Sequence, residues 1–270
     1  MITAGAGTPA AQQGQTEFNI FLCQNIGNRP LTKSFSLVDG AISKKPATPT
    51  AAGKVFRIET SFYPGFFDAL NDADCHTAFI YGVFENSREQ MYLVSKADKS
   101  ANPGNPFEIC RTKEYFSYPN KPGILMFDHD PSDYGQNMTP AEFLQALGKL
   151  YPPMLDAAHI VRGSVSAGVS LAGEQPKPKP GFHAYFAVQD ASDIPRFISV
   201  LTDMAWLQGY GFYALSKSGA CLERVFFDTA VYSPERLDYV GSPIINAGVA
   251  YTAPVATYTP GAMLDTRGLQ

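Results

Sequence analysis

An α+β fold is predicted for this chain by three observations. Apolar stretches of strand length recur from FNIFLCQ to GFHAYFAV, capped amphipathic helices lie between the later ones, and the last stretches alternate apolar with polar residues. At 270 residues, 45% apolar and 13% aromatic, the chain can bury a full core.

Residues 1–17 are Ala, Gly, Gln and Thr with little to bury and are expected to form a disordered tail. FNIFLCQ opens the fold as a strand, and residues 40–53, GAISKKPATPTAAG, read as a loop. VFRIET, a short helical FFDALNDA and HTAFIYGVF complete an N-terminal α/β module. After the strand GILMFDHDP, Thr139 is placed as the N-cap of a helix, with Pro140 in its first turn and Glu142 closing a capping box. Phe143, Leu144, Leu147, Leu150 and Tyr151 share one face, and Pro152-Pro153 ends the helix. HIVRGSVSAGV follows, then an EQPKPKP loop and the strand GFHAYFAV. A second helix is expected from about Ile194 to Gln208, with Gly209 as its stop. The apolar ERVFFDTAVYSPERLDY reads as a further strand, and residues 246–270, rich in Ala, Thr, Pro and Gly, read as a linker toward a further domain. No internal repeat is visible.

Three acids stand out on this frame. Asp128 and Asp130 are two apart in an extended strand and so project to one side, leaving Phe127 and His129 on the other. With Asp228 alongside, they would make an oxygen-rich site for hard divalent cations. Each acid also has a structural reading, since Asp130-Pro131-Ser132-Asp133 has the composition of a turn. In GFHAYFAV, His183 faces away from the most apolar side; with Lys179 and Gly181 it offers a cation, a bare N–H and an imidazole to phosphate oxygens. Ser164 and Ser166, with Arg162 on the same side by parity, form a second polar segment that could contact phosphate or simply end a strand.

The net charge of −4 requires any nucleic-acid contact to come from a local basic groove. Cys23, Cys75, Cys110 and Cys221 have neither zinc nor disulfide spacing, which fits thiols in a reducing, cytoplasmic setting. The first residues lack a basic n-region and an apolar h-region, and no apolar run approaches membrane length, so a soluble protein is expected.

The order of these pieces, a strand ending in DxD, a capped helix, a K-x-G-x-H strand, another helix, then Asp followed by VYSPER, resembles the catalytic domain of archaeo-eukaryotic primases and primase-polymerases. The chain is most similar to the primase-like domains that open replication proteins of phages, plasmids and integrated elements, often ahead of a helicase. The likeness covers residues 18–245, and LERVFFDTAVYSPERLDYVGSP is its most specific part. It implies a core related to the RNA-recognition motif, a mixed sheet with helices on one face, plus the N-terminal α/β module. It implies that Asp128, Asp130 and Asp228 hold two Mg²⁺ or Mn²⁺ ions, and that His183 and Lys179 contact a nucleoside triphosphate. Arg236 would lie near nucleotide or template phosphates. The family serine two residues before the histidine is Gly181 here, so the hydroxyl contact to phosphate is lost, replaced by backbone N–H, or supplied by Ser164 or Ser166. The activity implied is DNA primase or polymerase chemistry on a single-stranded DNA template. Two other readings remain at this point: a replication-initiation module that binds DNA without catalysis, and a metal-dependent nuclease.

Overall fold

The computed structural model describes residues 17–25, 29–47, 52–84, 88–131, 135–176, 179–216 and 218–270. The N-terminal half contains β1 (Glu17–Asn25), β2 (Ser34–Val38), β3 (Ala41–Lys45), β4 (Gly53–Ser61), α1 (Phe67–Asp72), β5 (Thr77–Ile80), β6 (Gln90–Leu93), α2 (Lys96–Ala101) and β7 (Glu108–Ile109). The C-terminal half contains β8 (Gly123–His129), α3 (Pro140–Leu150), β9 (His159–Gly163), β10 (Val169–Leu171), β11 (Phe182–Val188) and α4 (Ile194–Leu207). It ends with β12 (Phe212–Leu215), β13 (Cys221–Arg224), β14 (Ile244–Ile245), β15 (Val249–Tyr251) and β16 (Thr257–Thr259). The class is mixed α+β, with several small sheets and few helices. Among the described residues no helix is long and apolar enough to cross a membrane.

Two sheets matter for the site. One has the order β5-β1-β4-β6-β7; the other is antiparallel, with the order β16-β9-β11-β8. The period-two pattern of β8 and β11 decides what each face of the second sheet meets. Leu125, Phe127, Phe182, Ala184, Phe186 and Val188 point to α3 and α4, where Phe143, Leu147, Phe197 and Leu201 complete one core. Ile124, Met126, Tyr185 and Ala187 point the other way, onto Phe18, Phe66, Leu70 and Phe79 of the N-terminal half.

Both helices form where the sequence places them. Thr139 caps α3, with its hydroxyl accepting from the Glu142 N–H and the Glu142 carboxylate accepting from the Thr139 N–H. Thr139 at the cap, its backbone N–H first, and then Lys179 hold the Glu142 carboxyl down at about 2. Past α4, Gly209 takes φ +78°, the left-handed geometry that favours glycine.

Four expectations are corrected. Residues 40–53 are not all loop, because β2 and β3 form a hairpin across Asp39-Gly40, both with positive φ. Asp-Gly is the turn that matches strand twist, and Lys44 and Lys45 suit its exposed edge. The segment from Val225 to Phe227 is buried but belongs to no strand. Aromatic packing of Phe226 on Phe143 and Phe227 on Phe127 holds it in place of a hydrogen-bonded ladder.

Residues 246–270 are no linker. β16 covers the free edge of β9, β15 pairs with β10, and Leu264 and Leu269 enter the helix-side core. Arg196 donates to the Leu269 and Thr266 carbonyls, fastening the last turn to α4. Few apolar anchors suffice because backbone pairing carries the rest. Glu17, expected in the tail, begins β1, and residues 1–16 lie outside the described residues.

Candidate functional site

The register across three strands assembles the site. Asp128 pairs with His183 and His183 with Arg162, so these side chains form one row on the face turned to the N-terminal half. Two residues along, Asp130, Gly181 and Ser164 form the next row, with the Ser164 N–H bonded to the Gly181 carbonyl at 2.9 Å. A Cβ on Gly181 would lie 2.9 Å from Asp130 Oδ1, 3.0 Å from the His129 carbonyl and 3.2 Å from Ser164 Oγ. Gly181 is therefore the gap that lets a carboxylate and a hydroxyl face each other across three strands. Ser164 Oγ in turn lies 3.3 Å from Ser166 Oγ, so both serines adjoin this row.

Asp228 arrives from the other side of β8. Its N–H donates to the Asp128 carbonyl at 2.9 Å, and its carboxylate accepts from the Ala230 N–H as the cap of a short 3₁₀ turn, Thr229–Val231. The histidine between the first two acids secures this approach. His129 Nε2 accepts from the Met138 N–H, so its proton sits on Nδ1 and is donated to the Phe226 carbonyl at 2.6 Å. Burial lowers the His129 pKa, in keeping with the neutral ring. Asp130 and Asp228 line one small cavity of about 230 Å³ with Arg224, whose Nη1 lies 3.5 Å from Asp228 Oδ1. That pair is half exposed and adds little stability.

The electrostatics are unbalanced toward negative charge. Burial pushes Asp128 up to about 6; His183 opposes this, and Asp130, Asp238 and Asp228 reinforce it. Asp128 Oδ1 is buried and accepts no hydrogen bond, its nearest cationic atom being His183 Nε2 at 3.5 Å. Burial alone would lower His183, but Asp238 and Asp128 outweigh it and hold the imidazole at about 9. Arg162 adds a second buried cation, anchored through Nη1 to the Val240 carbonyl at 2.8 Å with its Nε unbonded.

Asp238, Tyr185 and Tyr81 complete the site, and sequence reasoning missed them. Asp238 Oδ1 lies 3.1 Å from His183 Nδ1, while its Oδ2 accepts from Tyr81 at 2.6 Å and Tyr185 at 2.8 Å. Tyr185 shares parity with His183, which was a usable signal; Asp238 lies in a loop, where periodicity says nothing.

Two expected contacts lie apart from this face. Lys179 Nζ bonds the Asn137 carbonyl at 3.1 Å and Glu142 at 3.2 Å, on the α3 side of the sheet. Arg236 lines a separate cavity of about 620 Å³ with Lys113, Thr229 and Tyr232, behind the turn that Asp228 caps. Among the described residues, no group of three or more His, Cys, Asp or Glu side chains is placed to hold a metal ion, so Asp128, Asp130 and Asp228 do not stand as a formed ligand cluster. The donors are nonetheless of the kind a hard cation takes: an orphaned carboxylate oxygen on Asp128, and a charge excess to which Asp130 and Asp228 contribute. Comparison with protein-family models, with curated proteins and with solved structures finds no match for this chain.

Proposed function

We propose that this chain is a nucleotidyltransferase of the archaeo-eukaryotic primase type, which starts or extends primers on single-stranded DNA using nucleoside triphosphates. The observation that carries the reading is the pair of stacked rows, Asp128–His183–Arg162 and Asp130–Gly181–Ser164, with the Asp228 backbone bonded to that of Asp128. Acids occupy one end of each row and groups suited to phosphate occupy the other. The order β8, α3, β9, β11, α4, with both helices on one face and the Asp228 segment beside β8, also suits the RNA-recognition-motif-related core of those enzymes.

Asp128, Asp130 and Asp228 would hold two Mg²⁺ or Mn²⁺ ions, which when bound activate the attacking hydroxyl and stabilise the departing pyrophosphate. His183 and Arg162 place positive charge beside the triphosphate, in a site half screened from water where such charge is most effective. Ser164 and Ser166 supply the hydroxyls that the family serine gives elsewhere. Lys179 joins them only by leaving Glu142. Arg236 and Lys113 sit where they can bind backbone phosphates of the template, a contact indifferent to sequence.

Incubation of the chain with an unprimed or primed single strand, labelled nucleotides and Mg²⁺ or Mn²⁺ tests this. New or lengthened strands that vanish with chelator and in Asp130→Ala support it. A shortened template would mean nuclease action, and binding indifferent to chelator without synthesis would mean a passive DNA-binding module; either result overturns the proposal.

A further inference from the structure

Asp238 belongs to none of the acids that face the candidate ions, yet it is only 2% exposed, and a buried carboxylate must be matched by partners. Its partners come from both halves of the molecule. Its backbone forms a two-way bridge with Phe79 on β5, N–H to carbonyl at 2.8 and 2.9 Å. Its side chain reaches the other sheet, where Tyr185 and His183 project from β11, while Tyr81, just past β5, donates to the same oxygen as Tyr185.

The donors can be ordered from the geometry. Tyr185 gives its proton to Asp238 Oδ2, so its oxygen is left to accept, and His183 Nδ1 lies 3.0 Å from it. Nδ1–H is thus donated to Tyr185, with Asp238 Oδ1 beside it at 3.1 Å as a charge contact that accepts no hydrogen bond, and only Nε2 is left for the Asp128 end of the site. A ring with one edge committed cannot flip or swing. The tyrosines serve the same end, since Phe66 packs edge-on against both rings and holds their hydroxyls on the carboxylate.

We propose that Asp238 is the positioning residue for His183, clamped by Tyr81 and Tyr185, and that it ties the orientation of the imidazole to the seating of the N-terminal half on the central sheet. This rests on the nucleotidyl-transfer reading only for its consequence in catalysis. The structural claim is that His183 loses its fixed orientation when the clamp is weakened from a residue that never touches it.

Tyr81→Phe removes one hydroxyl and keeps the ring, and Asp238→Asn keeps the shape but replaces an acceptor oxygen with a donor. Ring ¹⁵N and ¹H resonances of His183 in metal-free protein report its hydrogen bonding without reference to activity. In both variants the Nδ1 signal is expected to shift while the fold, judged by backbone amide spectra, is retained. For nucleotide incorporation, the apparent KM for the triphosphate is expected to rise about tenfold, as a mispositioned phosphate contact would give, with affinity for single-stranded DNA unchanged. Wild-type His183 resonances in folded Tyr81→Phe overturn the proposal, even if Asp238→Asn does not fold. Shifted resonances in a protein whose wild type incorporates no nucleotide uphold the positioning role and sink the function assigned to the site instead.

Discussion

Asp128→Asn is expected to stabilise the metal-free protein while abolishing its activity. The rise of the Asp128 pKa from an ordinary 3.8 to about 6 means that the charged form costs the fold about 3 kcal/mol above that window. The sign follows from proton binding: the folded chain holds this proton more tightly than the unfolded one, so stability falls as pH climbs from 3.8 to about 6. Asparagine has the same shape and no charge to bury. That cost is already net of the attraction to His183, which opposes the rise; the partly buried amide N–H of the asparagine, which needs an acceptor of its own, returns part of the gain. A net stabilisation of about 1–2 kcal/mol near neutral pH remains, or about 2–8 °C in Tm for a chain of this size. Calorimetry in chelator at about pH 7.5 and again at about pH 4 measures it, and the advantage of the variant should shrink at the lower value. Mn²⁺ should raise the Tm of the wild type and leave the variant unmoved. An Asp128→Asn protein that melts below wild type in chelator at neutral pH would refute the charge excess on which the cation site rests.

Gly181→Ser puts a Cβ within 3.2 Å of three oxygen-bearing neighbours, an overpacking of about 1–3 kcal/mol. Primer extension is expected to fall at least about tenfold as Asp130 and Ser164 are pushed apart, and a wild-type rate would show that the gap is incidental. Leu264→Ala should cost about 2–5 kcal/mol in urea unfolding, because the side chain is 2% exposed within the helix-side core; a loss under about 1 kcal/mol would mean that the C-terminal segment is held by its strand pairing alone. Thr139→Ala removes the α3 cap and should cost about 1 kcal/mol by the same measurement, with nucleotide incorporation unchanged once the protein is folded.

What sequence could reveal follows the range of each physical signal. Capping, helical periodicity and strand parity are local, so α3, α4 and the opposed faces of β8 and β11 are legible residue by residue. The same parity that sends Phe127 and His129 to the helices also sends Asp128, His183 and Tyr185 to the site. Register between strands is not local. Nothing in GFHAYFAV states that His183 sits opposite Asp128, and that pairing turns separate acids and cations into rows. Lys179 shows the converse, for proximity in sequence to His183 suggested a shared phosphate site. Pro180 and Gly181 intervene, and Lys179 ends on the helix side of the sheet beside Glu142. Residues 246–270 escaped because their composition suits a linker, whereas an edge strand needs few apolar side chains when its backbone has a partner. The Asp39-Gly40 turn was a local signal that sequence alone does carry.

On the proposed reading Gly181 stands where the primase family has a serine, and the two faces of the central sheet show where the room for that serine has gone. On the helix side Leu125, Phe127, Phe182, Ala184, Phe186 and Val188 fill the core, and tolerance there is set by volume. On the site side the rows contain charges, and what matters is the room between them. A serine at position 181 would bring its own hydroxyl into the row but also a Cβ, and here that volume is taken by Asp130 Oδ1, the His129 carbonyl and Ser164 Oγ. The hydroxyl has in effect moved one strand across, to Ser164, where the register of β9 on β11 presents it to the same space. On that reading, substitution of Ser164 by alanine should raise the apparent KM for the triphosphate. The double variant Gly181→Ser with Ser164→Ala should recover part of that loss, because it frees the space the new side chain needs. If the double variant is no better than the worse of the two single variants, the two positions do not share one role, and the row is a coincidence of packing.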